Sequence, residues 1–353
     1  MMLAYLPDTA EYPLNGARAR RAVYVTGGLL LATLATTTAA LADVSTPVIS
    51  GLAWRSGATT GAVPCLAQMR GRSLDAILTF VSPNQGFAGM VTFTAGSYWR
   101  NNAKLAPLAV VSLPLLTTDT QGQFAQCAAG AFDTYWRQIG ANLNAAGAQG
   151  MVVRLGWEAN IGSGNHPWGV DTPDQVQPFV QCWRHAALQL KSVAPSVQME
   201  WTNAKKTANT ALHVLDLYPG DDVTNLWGVH YYDGGPVKNT QAVWDKYYNI
   251  TFNGGPWGLG TWLAAAKQHG KKLAVSEYGI VQQGNQTAAQ ADDPVYIDNM
   301  YRFFRGNATS LAYETYFNAD TGVKGHALCS ADGTPTDYPN AAATYKADWS
   351  LGQ

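Results

Sequence analysis

Eight short apolar runs recur between residues 48 and 316, and longer segments separate them. Continuous apolar runs such as Met151-Val152-Val153 are typical of parallel strands that are buried on both faces. Several of the intervening segments carry apolar residues at helical spacing. The predicted helices cover residues 123–146, 178–193 and 296–304. The predicted strands cover residues 48–54, 74–81, 108–113, 150–156, 197–202, 226–231, 272–276 and 311–316.

Strands that alternate with helices indicate an α/β protein with a parallel sheet. Eight strands is the count of a single (β/α)8 TIM barrel, which we predict for residues 43–353. A doubly wound open sheet is the structural alternative, but the Gly-rich turn that usually follows its first strand is missing. Active sites of TIM barrels lie at the C-terminal ends of the strands. Side chains that follow each apolar run are therefore the candidates for function.

Residues 1–42 have the features of an export signal. Arginines between residues 18 and 21 precede an apolar run at 22–42, which ends in Ala-Leu-Ala. A charged segment, an apolar segment and an A-x-A site together make a signal peptide. We predict cleavage after Ala42, with an uncleaved N-terminal membrane anchor as the alternative, because the run is about long enough to span a bilayer. In both cases the domain that follows is expected to be secreted, periplasmic or extracellular.

The composition argues against several classes of protein. Charged residues make up 13% of the chain, the net charge is −1 and no basic patch is visible, so we expect no nucleic-acid partner. The His and Cys residues form no HExxH or CxxC motif, so we expect no metal or other cofactor. We also expect the protein to be a monomer. In an oxidising compartment the cysteines predict one or two disulfides, with three pairings open. The cysteines are Cys65, Cys127, Cys182 and Cys329.

A glutamate closely follows two of the predicted strands. Strand four leads into RLGWEAN at 154–160, which places Glu158 at the mouth of the barrel. Strand seven leads into LAVSEYG at 273–279, which contains Glu277. Strands four and seven face each other across the barrel mouth, so the two carboxylates are expected to lie close together. A structural ion pair between Arg154 and Glu158 is the competing explanation for the first motif.

A facing pair of carboxyl groups is the arrangement that cleavage of a glycosidic bond requires. One carboxylic acid protonates the leaving oxygen, and the other carboxylate attacks the anomeric carbon or activates a water. A separation of about 5–5.5 Å gives retention of configuration, and about 6.5–9.5 Å gives inversion. The two environments must also separate the two pKa values, so that one group carries a proton near neutral pH.

The two glutamate motifs resemble those of the clan A glycoside hydrolases, which carry their catalytic glutamates at the ends of strands four and seven. Within this clan the chain is most similar to family 26, the β-mannanase-like enzymes and their relatives. The similarity covers most of residues 48–346. The motifs stand in the family's order, which is RLGWEAN, a following Trp168, YPGDD at 218–222, WGVHYYD at 227–233 and LAVSEYG.

This resemblance implies a role for each of the matching residues. Glu158 would be the general acid/base and Glu277 the nucleophile of a retaining double displacement. Tyr232 would hydrogen-bond the nucleophile and keep it ionised, a role that Tyr231 could hold instead. The resemblance implies no cofactor.

The chain departs from the family pattern beside these residues. Trp157 stands where the family typically has His, and Leu155 where it has Pro. His230 stands where relatives usually place Asp. These positions shape the subsites nearest the cleavage point, so the resemblance implies the two-glutamate mechanism but leaves the sugar open.

Aromatic and amide side chains at the strand ends are expected to line a sugar cleft. Trp and Tyr rings can stack on sugar faces, and Asn can bond hydroxyl groups. Packing in the core or rim is the competing explanation for each ring. His166 is interpreted as a loop residue rather than a metal ligand. The predicted substrate-binding or supporting residues are Trp54, Arg154, Trp157, Asn160, Trp168, Trp201, Asn203, His230, Tyr231, Tyr232 and Tyr316.

The sequence therefore predicts a secreted, retaining glycoside hydrolase that is endo-acting on a β-linked polysaccharide such as mannan, glucan or a bacterial exopolysaccharide. One alternative is a non-catalytic polysaccharide-binding barrel, which would release no reducing ends. Another is a transglycosylase in exopolysaccharide processing, which would carry the same motifs and transfer sugar rather than hydrolyse it.

Overall fold

Eight parallel strands form one closed barrel, which confirms the predicted (β/α)8 TIM barrel. The computed structural model describes residues 44–147, 150–319, 325–330 and 336–350, and the predicted export segment at 1–42 lies outside them. The strands follow one another around the barrel in chain order, and the last pairs with the first. They are β1 (Ser56–Thr59), β2 (Ala76–Phe80), β3 (Leu108–Leu113), β4 (Val152–Leu155), β5 (Gln198–Ala204), β6 (Leu226–His230), β7 (Lys272–Tyr278) and β8 (Leu311–Tyr316).

The prediction was wrong for β1 alone among these strands. The other seven lie within the predicted runs or extend them by at most two residues. The apolar run at 48–54 was assigned to the first strand, but the carboxylate of Asp75 accepts hydrogen bonds from the backbone N–H groups of Ile49 and Ser50, at 2.5 and 2.8 Å. These bonds hold the run as a bend ahead of β1. The strand itself reads Ser-Gly-Ala-Thr, which is too weakly apolar to be recognised as a buried strand from the sequence.

This shift corrects the prediction for Trp54. The residue precedes β1 and therefore lies at the N-terminal end of the barrel, away from the end where active sites form. Its side chain is buried, its Nε1 donates to Glu314 Oε1 at 3.2 Å, and its ring packs against Tyr301. Trp54 is a packing residue of the barrel wall and its helices.

Helices cover the outside of the barrel. None of the helices in the described residues is long and apolar enough to cross a membrane. A two-stranded antiparallel hairpin, Thr251–Phe252 with Gly255–Pro256, stands between β6 and β7. The helices are α1 (Val63–Arg70), α2 (Gly86–Ala95), α3 (Ser97–Asn102), α4 (Phe124–Ala128), α5 (Asp133–Ala145), α6 (Pro173–Val193), α7 (Gln241–Tyr248), α8 (Leu259–Gln268), α9 (Ala288–Ala291), α10 (Pro294–Gly306) and α11 (Pro339–Ser350).

The predicted helices have counterparts with different bounds. The helix predicted at 123–146 is two helices, α4 and α5, because Gly130 between them has a φ of 92°, a left-handed conformation that glycine favours. The helix predicted at 178–193 begins earlier, at Pro173, where a capping box satisfies its first N–H groups. The helix predicted at 296–304 extends two residues further at each end.

The two faces of the barrel wall belong to two separate cores. Alternation along each strand sends successive side chains to the inside and the outside. Inside the barrel the apolar core consists of Ala76, Leu78, Leu108, Val110, Val152, Leu226, Ala274, Ala312 and Tyr313, with Val44. The larger outer core, between strands and helices, contains the fully buried tryptophans of the described residues. They are Trp99, Trp136, Trp168, Trp183, Trp201, Trp227, Trp262 and Trp349. The high aromatic content therefore serves this interface first.

The structure decides the disulfide pairing that the sequence left open. Cys65 pairs with Cys329, and Cys127 pairs with Cys182. The first pair joins α1, the first helix of the barrel domain, to the segment that follows β8, the last strand. The second pair joins α4 to α6, and both of its cysteines are buried.

Removal of the second disulfide is expected to lower the free energy of unfolding by about 2–4 kcal/mol. The bond links residues 55 positions apart, and a cross-link of this span restricts the unfolded chain strongly. Urea unfolding of Cys127→Ala/Cys182→Ala, followed by tryptophan fluorescence without reductant, measures the effect. An unchanged midpoint and slope would contradict the assigned pairing.

Candidate active site

The carboxyl ends of β4, β6 and β7 bring three titratable side chains together. Glu158 follows β4, His230 is the last residue of β6, and Glu277 lies near the end of β7, paired in register with His230. His230 Nδ1 is 2.7 Å from Glu158 Oε1, and Nε2 is 3.0 Å from Glu277 Oε1. The two glutamates singled out in the sequence therefore contact the two nitrogens of one imidazole.

Two other predicted residues hold the carboxylate of Glu277 from both sides. Arg154 Nη2 donates to Oε1 at 2.6 Å, and the Tyr232 hydroxyl donates to Oε2 at 2.7 Å. The guanidinium and the carboxylate thus form a buried ion pair. Burial and the charge of Glu277 raise the pKa of Tyr232 well above its ordinary value, so the phenol remains a hydrogen-bond donor. Tyr232, rather than Tyr231, takes the position beside Glu277.

Glu158 has an unusual backbone conformation. Its φ is 53°, in the left-handed region that residues with a side chain rarely adopt, and this costs on the order of 1–2 kcal/mol. Its N–H donates to the backbone oxygen of Thr202 at 2.9 Å, which joins the turn to β5. The side chain is 18% exposed, so this carboxyl is reached more easily from solvent than Glu277, at 8%. Strain of this kind is often found at functional sites.

Two imidazoles control the protonation of Glu158. His230 contacts one carboxyl oxygen at 2.7 Å, and His166 Nε2 lies 3.3 Å from the other. Burial by itself raises the pKa of Glu158, but the charges and hydrogen bonds of His230 and His166 outweigh burial and lower the pKa below its ordinary value. Glycosidic cleavage by two carboxyl groups needs one of them to keep a proton near neutral pH. In this arrangement the histidines favour the carboxylate form of Glu158.

A buried polar network supports Arg154 beneath Glu277. Arg154 Nη1 donates to Ser112 Oγ at 2.9 Å, and its Nε lies 3.7 Å from Glu200 Oε1. Glu200 in turn accepts a hydrogen bond from the Tyr313 hydroxyl at 2.5 Å. Burial lowers the pKa of Arg154, but Glu277, Tyr313 and Glu200 together outweigh burial and raise it, so the guanidinium stays charged.

Sequence reasoning missed this network. The ion pair between Arg154 and Glu158, the competing explanation for the strand-four motif, is not formed, because Arg154 contacts Glu277 on β7 and Glu200 on the neighbouring β5 instead. The one available signal was a glutamate in the middle of the apolar run of β5. Alternation places Glu200 on the opposite face from Trp201, inside the barrel, where only a charged partner makes such a residue acceptable.

Five aromatic rings form a chain of contacts beside the two carboxylates, which we call the aromatic arc. The members are Phe80, Trp157, Phe317, Tyr232 and His326. Successive ring centroids are 5.7 Å apart for Trp157 and Phe80, 5.9 Å for Phe80 and Phe317, 6.0 Å for Phe317 and Tyr232, and 5.0 Å for Tyr232 and His326. Phe80 and His326 were not predicted as site residues. Phe80 lies in the run predicted as the second strand and is the last residue of β2. The arc offers the apolar surfaces on which sugar rings pack.

The residues that follow Glu158 support its loop from below. The buried Trp168 donates through Nε1 to the backbone oxygen of Trp157 at 2.7 Å, and the His166 ring stacks on it at 4.8 Å. The buried amide of Asn160 donates to and accepts from the backbone of Ala204, at 2.9 and 3.0 Å. These contacts use the polar atoms of Asn160 and Trp168 within the protein. Among the described residues no group of three or more His, Cys, Asp or Glu side chains is arranged to hold a metal ion.

Trp201 and Asn203, predicted to line the cleft, lie on the outer face of β5. Trp201 is buried against Trp227 and Trp262, at centroid distances of 4.9 and 6.2 Å. Asn203 is also buried, two residues further along the same face. Their positions correct the expectation that they contact sugar, because the barrel wall separates this face from Glu158.

Tyr231 and Tyr316 are likewise buried behind the site. Tyr231 packs edge-on against Trp244, and its backbone N–H donates to the backbone oxygen of Glu277 at 2.8 Å. The Tyr316 hydroxyl donates to the backbone oxygen of His326 at 3.0 Å and accepts from the N–H of Ile280. Both residues hold backbone segments in place, so of the two roles predicted for them, substrate-binding or supporting, their contacts are those of supporting residues.

Comparison with known proteins identifies structures of the same fold. No protein-family model matches the chain, and no curated protein matches its sequence. A Cellulomonas fimi endo-β-1,4-mannanase double mutant matches with a TM-score of 0.59 at 16% identity, over 88% of this chain and 76% of that chain. The catalytic domain of a Bacillus sp. JAMB-750 GH26 endo-β-1,4-mannanase matches with a TM-score of 0.57 at 15% identity, over 88% and 92% of the two chains.

A third similar structure comes from an enzyme with a different activity. It is an exo-β-1,4-mannosidase from an Opitutaceae bacterium, strain TAV5, with a TM-score of 0.57 at 13% identity, over 89% of this chain and 61% of that chain. Identities this low show a shared fold. The resemblance to family 26 that the sequence motifs suggested is thus confirmed as a structural resemblance, to TIM barrels of glycoside hydrolases.

Proposed function

We propose that this chain is a retaining glycoside hydrolase that cleaves a β-linked polysaccharide. The observation that carries the proposal is the meeting of Glu158 and Glu277 at the carboxyl ends of β4 and β7, on the two nitrogens of His230. The similar structures named above are β-mannanases and a β-mannosidase, which supports the same class of reaction. We further propose that the chain acts outside the cytoplasm as a monomer, and its two disulfides support an oxidising compartment.

In the first chemical step Glu277 attacks the anomeric carbon. Arg154 and Tyr232 hold its two oxygens, so the carboxylate is oriented before substrate arrives. The bond from the anomeric carbon to the leaving oxygen breaks as Glu158 delivers a proton to that oxygen. In the second step Glu158 removes a proton from water, the water oxygen attacks the anomeric carbon, and the bond to Glu277 breaks.

The position of the aromatic arc bears on the substrate. Three of its rings come from β2 and the segment after β8, and these three, Phe80, Phe317 and His326, are partly exposed. Trp157, which stands where the resembled family has His, belongs to the same arc. An apolar wall replaces a hydrogen-bonding group there, so we propose a β-linked glucan or exopolysaccharide alongside mannan as substrate candidates, with endo action.

A panel of polysaccharides tests the proposal. Mannan, mixed-linkage glucan, xylan and bacterial exopolysaccharides are incubated with the protein, and new reducing ends are measured. Proton NMR of the first products then reports the anomeric configuration, for which retention predicts the β form. Binding without new reducing ends would support a non-catalytic barrel, products longer than the substrate would indicate transfer, and an initial α product would rule out the retaining mechanism.

Replacement of Glu158 by glutamine is expected to lower kcat/KM on the polysaccharide by about 10²–10⁴-fold, since a glutamine cannot supply a proton. On a dinitrophenyl glycoside of the same sugar, whose leaving group needs no proton, glycosylation is expected to stay close to the wild-type rate. Added azide should then accelerate turnover by replacing water in the second step. Asp222→Asn, at an exposed ion pair with Arg184, is the matched control. Equal losses on both substrates would contradict the acid/base role.

A further inference from the structure

His230 and Glu158 share one hydrogen. A carboxylate only accepts hydrogen bonds, so when Glu158 is ionised the Nδ1 atom, 2.7 Å away, must carry the hydrogen. When Glu158 is protonated, its O–H points at a bare Nδ1. The same contact therefore fits two states that differ by the movement of one proton along it.

The other nitrogen of the ring has a partner in either charge state. Nε2 lies 3.0 Å from Glu277 Oε1, which accepts a hydrogen, and it also contacts Arg154 Nη2, which donates one. An Nε2 with a hydrogen suits the carboxylate, and an Nε2 with a lone pair suits the guanidinium. The ring is also almost fully buried, so its proton exchanges chiefly with these neighbours.

The charged and titratable groups around the ring come from four parts of the barrel. Negative charge dominates the direct contacts, because Glu158 and Glu277 each touch a ring nitrogen. The groups that face His230 directly or through one neighbour are Glu158 and Arg154 from β4 and its loop, His166 from the same loop, Glu277 from β7, Tyr232 from the segment after β6, and Glu200 from β5 behind Arg154. The ring therefore lies between two carboxylates, and the Arg154 guanidinium also contacts its Nε2 atom.

We propose that His230 is a proton relay that stores the proton Glu158 delivers to the leaving oxygen. This inference rests on the proposed function and names a residue that acts through Glu158. In the sequence, His230 was notable only as a departure from the family pattern, because relatives usually have Asp at this position. The structure puts that departure in contact with both reacting carboxyl groups.

The proton balance closes within the site. In the first step the Nδ1–H bond breaks and a Glu158 O–H bond forms, and this bond breaks in turn as the leaving oxygen takes the proton. The imidazole is then neutral, with its remaining hydrogen on Nε2 toward Glu277. In the second step Glu158 takes a proton from the attacking water and returns it to Nδ1. The bare Nδ1 opposite the carboxylate makes Glu158 a stronger base at that moment, because two lone pairs repel.

The pH profile of His230→Asn tests the relay. An asparagine amide can still donate to Glu158 but cannot store a proton. In the wild type the Glu158–His230 pair loses the stored proton on the basic limb of kcat/KM, whereas in the variant Glu158 must hold that proton alone. The basic limb should therefore move, and kcat/KM at pH 7 should fall about 10²-fold.

The leaving group and a second histidine serve as controls. On a dinitrophenyl glycoside the His230→Asn variant should lose less than about threefold, because no proton is delivered. His166→Asn removes the other imidazole that contacts Glu158, and because the ring that stores the proton remains, its basic limb should move less than that of His230→Asn. A basic limb unchanged in His230→Asn, or moved in His166→Asn alone, would overturn the relay. Equal losses of His230→Asn on both substrates would assign it a merely structural role.

A spectroscopic measurement keeps the proposal testable if the variant does not fold. Long-range ¹H–¹⁵N correlation spectra of ¹⁵N-histidine-labelled wild type and Glu158→Gln report which ring nitrogens carry hydrogen. One ring should hold a hydrogen on Nδ1 throughout the active pH range, and its shifts should change in Glu158→Gln. A His230 ring with a bare Nδ1 across that range would overturn the relay. If no polysaccharide is cleaved by the wild type, the proposed function fails instead, and the spectra still decide the proton's position.

Discussion

Replacement of Glu277 by glutamine is expected to lower kcat on the cleaved polysaccharide by about 10⁴-fold or more, because no covalent intermediate can form. Unlike the loss at Glu158, this loss should be the same on the polysaccharide and on a dinitrophenyl glycoside. The nucleophile acts in the glycosylation step whatever the leaving group. Initial rates on both substrates, with Asp222→Asn again as control, measure the effect.

The covalent intermediate itself provides the sharper readout. A 2-fluoro glycoside of the cleaved sugar should form a slowly hydrolysed adduct, and peptide mass spectrometry should find one added sugar on the peptide that contains Glu277. The Glu277→Gln protein should remain unlabelled. The amide oxygen of glutamine can still accept from Arg154, and its NH2 group can donate to the Tyr232 hydroxyl, so the variant is expected to fold. Labelling of another residue, or wild-type turnover by Glu277→Gln, would remove Glu277 from the proposed role.

Replacement of Arg154 by methionine is expected to lower the free energy of unfolding by about 3–5 kcal/mol. Methionine keeps much of the apolar stem but leaves the carboxylates of Glu200 and Glu277 without a buried cation. Breaking one side of a buried ion pair leaves an uncompensated charge, which is far more costly than losing the pair as a whole. Activity should fall as well, because Glu277 loses the contact that orients it.

Two further variants separate charge from packing in this result. The double variant Arg154→Met/Glu277→Gln should recover part of the lost stability, because one of the unpaired charges is gone. Arg302→Met breaks an exposed pair with Asp298 and should cost less than about 1 kcal/mol. Urea unfolding at pH 7 compares all of them. A loss below about 1 kcal/mol in Arg154→Met would show that the buried network does not depend on this cation.

The strands that carry Glu158 and Glu277 could be predicted because each signal is local. A buried parallel strand needs a continuous apolar run, and the residue after such a run lies at the barrel mouth whatever the rest of the chain does. The first strand, β1, could not be predicted for the same reason. Its four small residues have no apolar signal of their own, and the stronger run at 48–54 is bent by a hydrogen-bonding partner, Asp75, that is distant in sequence.

The direction in which a strand-end side chain points was harder to predict. A shift of one residue in the bounds of a strand exchanges its inner and outer faces. Trp201 and Tyr316 were expected in the cleft and lie in the outer core, whereas Phe80 faces the site. The disulfide pairing shows the same limit, because cysteines far apart in sequence meet only when the barrel closes.

The sequence by itself determined the barrel, the two glutamates and the departures at Trp157 and His230, since each depends on residue type and local spacing. Only the tertiary structure decided what those residues contact. Arg154 reaches Glu277 rather than Glu158, Tyr232 rather than Tyr231 reaches the same carboxylate, and His230 lies between the two glutamates. The physical reason is that these contacts join side chains from different strands, and their lengths are set by how the strands close around the core.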